Sequence, residues 1–347
     1  MICLIGSANA GTGGEVIGRH IFGLATDYQS NPLLIADRPL IYKEKVHEQA
    51  FKVDEASFKI TVFDHDMSSI YISKTDKNSF NLIDTESLSL GVISGLHAPS
   101  FGLETPWNTL LVGEGGLVNA REFDAFLQSF KPYFKDKSEL VNPYHYGWLT
   151  EVIILNAKGK AKAIKNYATG RLFANKLLVM PDRKTYYFLD NANSGVVYIF
   201  VADAQDSLAK GSLYALELRK DVINTILLGN TSSLKMKFKL KKAEFSSIYK
   251  PRELINGKCE TDYKYINTVY GEECIKLKSK SIVKYAGFFE PIRTVALKGL
   301  SSDREYIEDL SFDVSKNQLA FQTRGNGRIL LSLGENVELG SQFFIQE

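Results

Sequence analysis

The side chains that most often perform chemistry are scattered along this sequence. The five histidines include no i, i+4 pair of the kind that holds zinc on a helix; they are His20, His47, His65, His97 and His145. The three cysteines, Cys3, Cys259 and Cys274, form no Cys-x-x-Cys pair. This spacing excludes a zinc ribbon and a thioredoxin-type redox site. No Gly-x-Ser-x-Gly stretch marks a serine nucleophile.

A glycine-rich stretch near the start, Gly6–Gly14, is typical of a phosphate-binding loop only at first sight. It lacks the Lys-Ser/Thr pair of a Walker loop, and no Gly-x-Gly-x-x-Gly motif is in register. The βαβ alternation that such loops need is also missing. We therefore expect no nucleotide site there.

Carboxylates next to predicted strands are better candidates, because carboxylate oxygens are the ligands that hard cations such as Ca²⁺ prefer. Thr105-Pro106-Trp107-Asn108-Thr109 leads into a short apolar run that ends at Glu114, and Gly147-Trp148-Leu149-Thr150 precedes Glu151. Asp190 and Glu308 follow downstream. Asp64-His65-Asp66 also offers oxygen ligands, but it lies between two predicted strands, where Asp usually forms the turn.

The motifs, taken in chain order, resemble those of the PhoX-type alkaline phosphatases. Thr105–Glu114 resembles the family's T-P-W-G-T-W-L-x-C-E-E run. Other stretches match later landmarks: Gly147–Val152 resembles G-Y-x-F-E-V, Gly170–Lys176 resembles G-R-F-S-H-E, Gly211–Leu216 resembles G-x-L-Y-A-L, and Tyr306–Leu310 stands where the family has R-P-E-D. The resemblance covers residues 69 to 218 and 290 to 333.

The resemblance implies a six-bladed β-propeller with iron and calcium at one end of its central channel. It assigns Glu114 and Glu308 to metal binding, leaves Glu151 and Asp190 as further oxygen donors, and places Lys176 and Tyr306 at substrate-binding positions. Such cations would polarise a phosphoryl group and stabilise charge on its oxygens.

The chain departs from the family at three positions. Gly113 replaces the cysteine that would bind iron, Lys176 replaces a ligand glutamate, and Tyr306 replaces the phosphate-binding arginine. We therefore expect no iron, whereas calcium on Glu114 and Glu308 is compatible with the flexible oxygen sets of that ion. Alternatively, the two glutamates are solvated residues at a channel mouth.

Two functions follow from this comparison. The favoured one is a degenerate propeller that serves as a binding or structural module of an exported protein. The alternative is a metal-dependent phosphomonoesterase in which Glu114, Glu308 and Glu151 hold calcium and Lys176 stabilises charge. A phosphorylated small molecule or a protein is the expected partner. Nucleic acid is not, because 42 Lys and Arg against 40 Asp and Glu leave a net charge of only +2.

The elements that must position these residues read as strands. Tyr and Phe number 17 and 21, and both suit pleated, half-buried surfaces. Alternating apolar runs separated by short Gly, Asn and Asp turns predict antiparallel meanders; they are Phe58–Phe63, Ser69–Ile72, Leu177–Met180, Thr185–Leu189, Val196–Phe200, Leu310–Asp313, Leu319–Phe321 and Ile329–Leu333. We predict an all-β propeller forming a single domain over 1–347, although a β-sandwich has similar local patterns.

Two segments differ from this pattern. Asn119 is placed to cap a helix that reaches Phe130 and carries a stripe of phenylalanines, and we predict a helical insertion over 117–143. Leu234–Lys241 alternates strictly between apolar residues and lysines, which predicts a strand with an exposed lysine face. We favour a row that prevents edge pairing, and polyanion binding is the alternative.

The location is inferred from the resemblance, because that family is exported. No run is long and apolar enough for a membrane helix. Ala8-x-Ala10 resembles a signal-peptidase site, but Ile2–Ile5 fits a first strand better. From spacing alone Cys259 and Cys274 are either a disulfide or two thiols. Export implies that they are paired, in a secreted or periplasmic protein.

Overall fold

The computed structural model describes residues 14–16, 42–63, 69–75, 82–123, 142–190, 196–219, 222–299, 307–324 and 327–332. The chain divides into two compact units. Unit 1 comprises residues 1–112 and 151–164, and unit 2 comprises residues 113–150 and 165–347. Whether they form the single domain predicted over 1–347 stays a prediction.

In the described residues of unit 1, two sheets have strands that follow chain order. The first is an antiparallel meander of β1 (Gly14–Val16), β2 (Tyr42–Val53), β3 (Ala56–Phe63), β4 (Ser69–Thr75) and β5 (Leu82–Ser89). The second consists of β6 (Pro99–Glu104), β7 (Leu110–Glu114), β8 (Thr150–Ile154) and β9 (Ala161–Lys165), of which the end residues 113–114, 150 and 165 belong to unit 2. Alternate residues of β3, Phe58, Ile60 and Val62, are buried in one apolar core because side chains two apart share a face.

The part of unit 2 that the structure describes contains three further sheets. A five-stranded antiparallel meander contains β10 (Ala174–Val179), β11 (Thr185–Asp190), β12 (Val197–Ala202), β13 (Lys210–Arg219) and β14 (Val222–Ser232). β15 (Tyr249–Arg252), β16 (Lys264–Thr268) and β17 (Gly271–Leu277) pair in the order β15-β17-β16. β18 (Ile307–Asp313), β19 (Gln318–Thr323) and β20 (Arg328–Ser332) form a third sheet, whose apolar residues share a core with β11 and β12.

In the sequence of unit 2, short helices lie between the strands of successive sheets. They are α1 (Ser233–Leu240), α2 (Phe245–Ile248), α3 (Ala286–Phe289) and α4 (Pro291–Leu297). Single 3₁₀ turns occur at Pro143–His145, Tyr167–Thr169 and Val283–Tyr285 in unit 2, and at Gly91–Ile93 in unit 1. None of the described helices is long and apolar enough to cross a membrane.

The prediction of a mostly β fold made of antiparallel meanders is confirmed. Apart from Leu234–Lys241, each strand predicted from alternation within the described residues is present, and sheets of four or five sequential strands are the local form of a propeller blade. The number of blades stays a prediction.

The prediction of a strand over Leu234–Lys241 is wrong, because this segment is α1. The hydroxyl of Ser232 accepts a hydrogen bond from the amide of Lys235 at 3.3 Å and so caps the helix. Met236 and Leu240 are buried one turn apart. Apolar residues four apart satisfy both a two-residue and a helical repeat, so an eight-residue window does not distinguish them.

Several other predictions fall on residues outside the described part of the chain. These are the strand Ile2–Ile5, the ligand candidates Asp64–Asp66, most of the 117–143 insertion (residues 124–141) and the substrate position Tyr306. Asn119 itself is described, and its side chain accepts a hydrogen bond from the amide of Arg121 at 3.1 Å.

The predicted disulfide is confirmed. Cys259 and Cys274 are bonded, with their Cα atoms 5.5 Å apart, and Cys274 is fully buried in β17. The bond ties the loop after β15 to the central strand of its sheet.

Candidate functional site

Three of the motif segments converge in unit 2. They surround a small cavity lined by Gly113, Glu114, Gly147, Trp148, Leu149, Thr169, Gly170, Leu172, Ala174 and Phe188. Sequence reasoning therefore identified segments that are neighbours in space. The cavity measures about 10 Å³, which is room for one water molecule and not for a phosphate ester.

Close backbone approach explains the glycine of the second motif. Gly147 has φ +91°, and a Cβ there would lie 2.6 Å from the ring of Phe173. Its carbonyl accepts a hydrogen bond from the amide of Phe173 at 3.3 Å. Only a residue without a side chain fits this contact between the second and third motif segments.

Glu114, the first predicted metal ligand, lies at the end of β7 and is buried. One carboxylate oxygen accepts hydrogen bonds from the amides of Gly147 and Trp148, both at 2.9 Å. The carboxylate also forms an ion pair with the ammonium group of Lys165 at 3.2 Å, and both side chains are fully buried. The carboxylate oxygens of Glu114 are already engaged by two amides and an ammonium group, so this side chain does not fit the role of a Ca²⁺ ligand.

Lys165 supplies positive charge where the resemblance implies a metal. Its ammonium group donates to the carbonyl of His145 at 2.6 Å and lies 5.2 Å from the ring centre of Tyr146. Burial lowers the pKa of Lys165, and the charge of Glu114 opposes that change. Burial, and next the charge of Lys165, lower the pKa of His145 to about 4.

Glu151, in unit 1, holds the Thr-Pro-Trp loop together. Its carboxylate accepts hydrogen bonds from the indole of Trp107 at 2.9 Å and from the hydroxyl of Thr109 at 2.8 Å. The hydroxyl and amide of Thr109 both lie 2.9 Å from the hydroxyl of Thr105, which closes the loop. The residue types of this motif are thus explained by the hydrogen bonds that close the loop.

Glu308 and Lys176 are engaged in exposed ion pairs of unit 2. The guanidinium of Arg324 donates to Glu308 at 3.2 Å, and Lys176 contacts Asp309. Burial lowers the pKa of Lys176. Lys176, which stands where the motif has a glutamate, is thus paired with the carboxylate of Asp309, the residue after Glu308.

Asp190, the fourth predicted ligand, is buried at the end of β11. Burial raises the pKa of Tyr270, and the negative charge of Asp190 contributes to that rise. In the described ranges no group of three or more His, Cys, Asp and Glu side chains is arranged to hold a metal ion. The residues that the structure brings together therefore do not fit the iron and calcium cluster that the resemblance implies.

A buried charge cluster in unit 2 was missed from the sequence. We call it the arginine cluster; it consists of Arg171, Arg293, Glu273, Glu290 and Asn119. Arg293 binds Glu273 through two hydrogen bonds of 2.6 and 3.0 Å, Glu290 at 2.7 Å and Asn119 at 2.8 Å. Its guanidinium also lies 4.3 Å from the ring centre of Tyr270.

Arg171 completes this cluster. It donates to the carbonyls of Tyr146 at 2.9 Å and Val118 at 2.6 Å, and lies 3.7 Å from the carboxylate of Glu290. The hydroxyl of Tyr144 donates to Glu290 at 2.8 Å. The charged groups of the cluster are paired with one another or, in the case of Arg171, bonded to backbone carbonyls, so the cluster joins distant segments of unit 2.

The sequence contains one signal for the cluster. The run from Ala286 to Leu297 is apolar apart from Glu290, Arg293 and Thr294, and charged residues three apart in such a run indicate a buried pair. The partners on other segments carry no such signal.

Comparisons with known proteins show a distant likeness to solved structures and no match by sequence. No protein-family model and no curated protein matches the sequence. Among solved structures, the chain is similar to Pseudomonas fluorescens PhoX in complex with vanadate, a transition state analogue. The two share 10% identity and a TM-score of 0.38, over 83% of this chain and 77% of that one.

Proposed function

We propose that this chain is a divergent PhoX-like propeller that serves as a non-catalytic binding or structural module of an exported protein. The observation that carries the proposal is the buried pair between Glu114 and Lys165. A lysine ammonium here balances the charge of the carboxylate that the family motif assigns to metal, so the pair is neutral without a metal ion.

The other motif residues support the same function. Glu151 is engaged by the loop it closes, and Gly113 offers no thiolate. The cavity among the motif segments has no room for a phosphate ester. The motif carboxylates Glu114 and Glu151 thus serve structural contacts. A non-catalytic module derived from an enzyme would retain such contacts because its fold depends on them.

Export is supported by the disulfide. Bonds between cysteines persist in oxidising compartments and are rare in the cytosol. Cys259–Cys274 therefore fits a secreted or periplasmic location.

Phosphomonoester hydrolysis is the second candidate, because three motif segments still surround one cavity. In that function calcium would be held by Glu114 and Glu308 with help from Glu151 and Asp190, and Lys176 and Tyr306 would contact substrate. A cation at Glu114 would first have to displace the ammonium of Lys165.

The test is metal analysis of the purified protein, followed by a phosphomonoester assay with added calcium and iron. We expect neither metal in stoichiometric amount and no turnover above the buffer rate. Glu308→Gln is the informative variant because Glu308 is exposed and its loss does not threaten folding. Glu260→Gln, which removes another exposed carboxylate paired with an arginine, is the matched control. Turnover that Glu308→Gln abolishes and Glu260→Gln retains would overturn the proposal.

A further inference from the structure

The helix α1 is fixed to unit 2 by one face. Met236 and Leu240 are buried on this face, and Lys239 lies over the ring of Tyr285, 5.9 Å from its centre. The helix also begins at a defined cap, Ser232. Its opposite face is therefore presented in a fixed orientation.

Two large apolar side chains occupy that opposite face. Leu234 is 66% exposed and Phe238 is 63% exposed. At 100° per residue they lie about 40° apart on the helix surface, one turn from each other. An adjacent leucine and phenylalanine exposed to this extent form an apolar ridge rather than a scattered pair.

Lysines border the ridge on both sides. Lys237 projects on one side and Lys235 on the other, as the helical repeat places them, and the exposed Lys241 and Lys242 follow directly after the end of the helix. No acidic residue occurs from Ser233 to Ala243, and these four lysines form no ion pair with any described residue. We call these four lysines, with Leu234 and Phe238, the basic ridge.

The surrounding surface adds to this charge. The ammonium group of the exposed Lys284 also lies over the ring of Tyr285, 5.3 Å from its centre. Because the whole chain has a net charge of only +2, the basic ridge concentrates positive charge that the rest of the molecule offsets.

We propose that the basic ridge docks unit 2 onto an anionic lipid surface, with Leu234 and Phe238 entering the headgroup region. Apolar side chains flanked by lysines are the combination that interfacial helices use, since lipid accepts the apolar groups and anionic headgroups attract the lysines. A nucleic acid would match the charge but leave the leucine and the phenylalanine in water. The inference is independent of the proposed function, because none of these residues belongs to the motif segments.

The experiment is co-sedimentation of the full chain with vesicles of equimolar phosphatidylcholine and phosphatidylglycerol, compared with phosphatidylcholine alone. We expect binding to the anionic vesicles only, weakened by salt. Leu234→Ser/Phe238→Ser and Lys235→Glu/Lys241→Glu should each reduce the partition coefficient by about tenfold or more, since both the apolar and the charged contacts are needed. These side chains are exposed, so the variants should melt at the temperature of the wild type.

Matched controls separate the ridge from general surface effects. Ile255→Ser/Val314→Ser removes two equally exposed apolar residues elsewhere, and Lys158→Glu/Lys160→Glu reverses two exposed lysines of unit 1. Both should bind as the wild type does. As a direct probe, Phe238→Trp should show blue-shifted emission with anionic vesicles after subtraction of the wild-type spectrum.

Four results would overturn the inference. They are equal binding to neutral vesicles, wild-type binding by either ridge variant, the same loss in the control variants, and a Phe238→Trp spectrum that vesicles leave unchanged. Ridge-dependent dimerisation without vesicle binding would show that a second copy covers the face. Duplex DNA binding that depends on the lysines alone would show a nucleic-acid contact instead.

Discussion

Two buried ion pairs of unit 2 hold a cation in different ways. In the arginine cluster, Arg293 contacts two carboxylates, one amide oxygen and the faces of Phe245 and Tyr270. At the motif site, Lys165 has one carboxylate, one carbonyl and one ring. Burial alone would lower the pKa of either cation, but the charges of Glu290 and Glu273 raise the pKa of Arg293, whereas the pKa of Lys165 remains lowered.

The difference shows that the number of compensating partners decides how firmly a buried cation is held. A guanidinium has five donors in a planar fork and satisfies several acceptors at once, whereas an ammonium group has three donors on a flexible stem. The arginine cluster is therefore expected to be the stronger constraint on folding, and the pair of Glu114 and Lys165 the weaker one.

The largest effect should follow from Arg293→Met. Removing this cation leaves Glu273 and Glu290 buried with fewer partners, and we expect the free energy of unfolding to fall by about 3–5 kcal/mol. Denaturant unfolding followed by circular dichroism measures this change.

Two further variants test the reason for that loss. Arg293→Lys keeps the charge but loses the two-bond contact with Glu273, so its stability should lie between wild type and Arg293→Met. Arg324→Met removes an exposed arginine paired with Glu308 and should cost at most about 1 kcal/mol. If Arg293→Met and Arg324→Met were equally stable, burial of the arginine would not determine how much stability its removal costs.

A pH effect should appear at the weaker pair. The unfolded chain protonates His145 near its ordinary pKa of 6.5, but the folded chain does so only near about 4, because burial and Lys165 lower that pKa. The free energy of unfolding should therefore fall as the pH drops from about 6.5 to about 4, by up to about 3 kcal/mol from this group.

His145→Gln isolates this contribution. The variant should show a flatter stability profile over that pH range, and the difference from wild type should be constant above pH 7, where the histidine is neutral in both states. Parallel profiles of the two proteins across the whole range would contradict the assignment.

The smallest effect should come from the exposed pair of Lys176 and Asp309. Both side chains are partly in water, so Lys176→Met should change the free energy of unfolding by less than about 1 kcal/mol. Asp309→Asn, which removes the partner, should give a similar value in thermal melts. A loss as large as that of Arg293→Met would mean that this position does more than the surface contact shows.

The fold was largely predictable because a strand with one buried face produces a recognisable pattern in the local sequence. Alternation placed β3, β11, β12, β18 and β19 correctly, since one buried face forces a two-residue repeat. The same rule failed at α1, where Met236 and Leu240 satisfy two repeats at once. The alternation of apolar residues and lysines carries no information on the helix cap, which is the hydroxyl of Ser232.

The candidate site was predictable only as a set of segments. The segments of the three motifs lie together, since Glu114, Gly147 and Gly170 line one cavity. Lys165 was not singled out, because it ends a strand in which nothing marks it as the partner of a carboxylate 51 residues earlier. The arginine cluster was missed for the same reason, since its members come from four separate segments, around residues 119, 171, 273 and 290–293.

Distance along the chain has a consequence for how the protein is made. The guanidinium of Arg171 reaches the carbonyl of Phe289, 118 residues later, and Arg293 reaches back 174 residues to Asn119. At ribosomal speeds of about 5–20 residues per second, Arg171 emerges on the order of 10 s before its last partners. A nascent chain must keep this charge hydrated until then, so unit 2 closes only when synthesis has passed α4, and a chain that stops short of it would expose its unfinished interior to proteases.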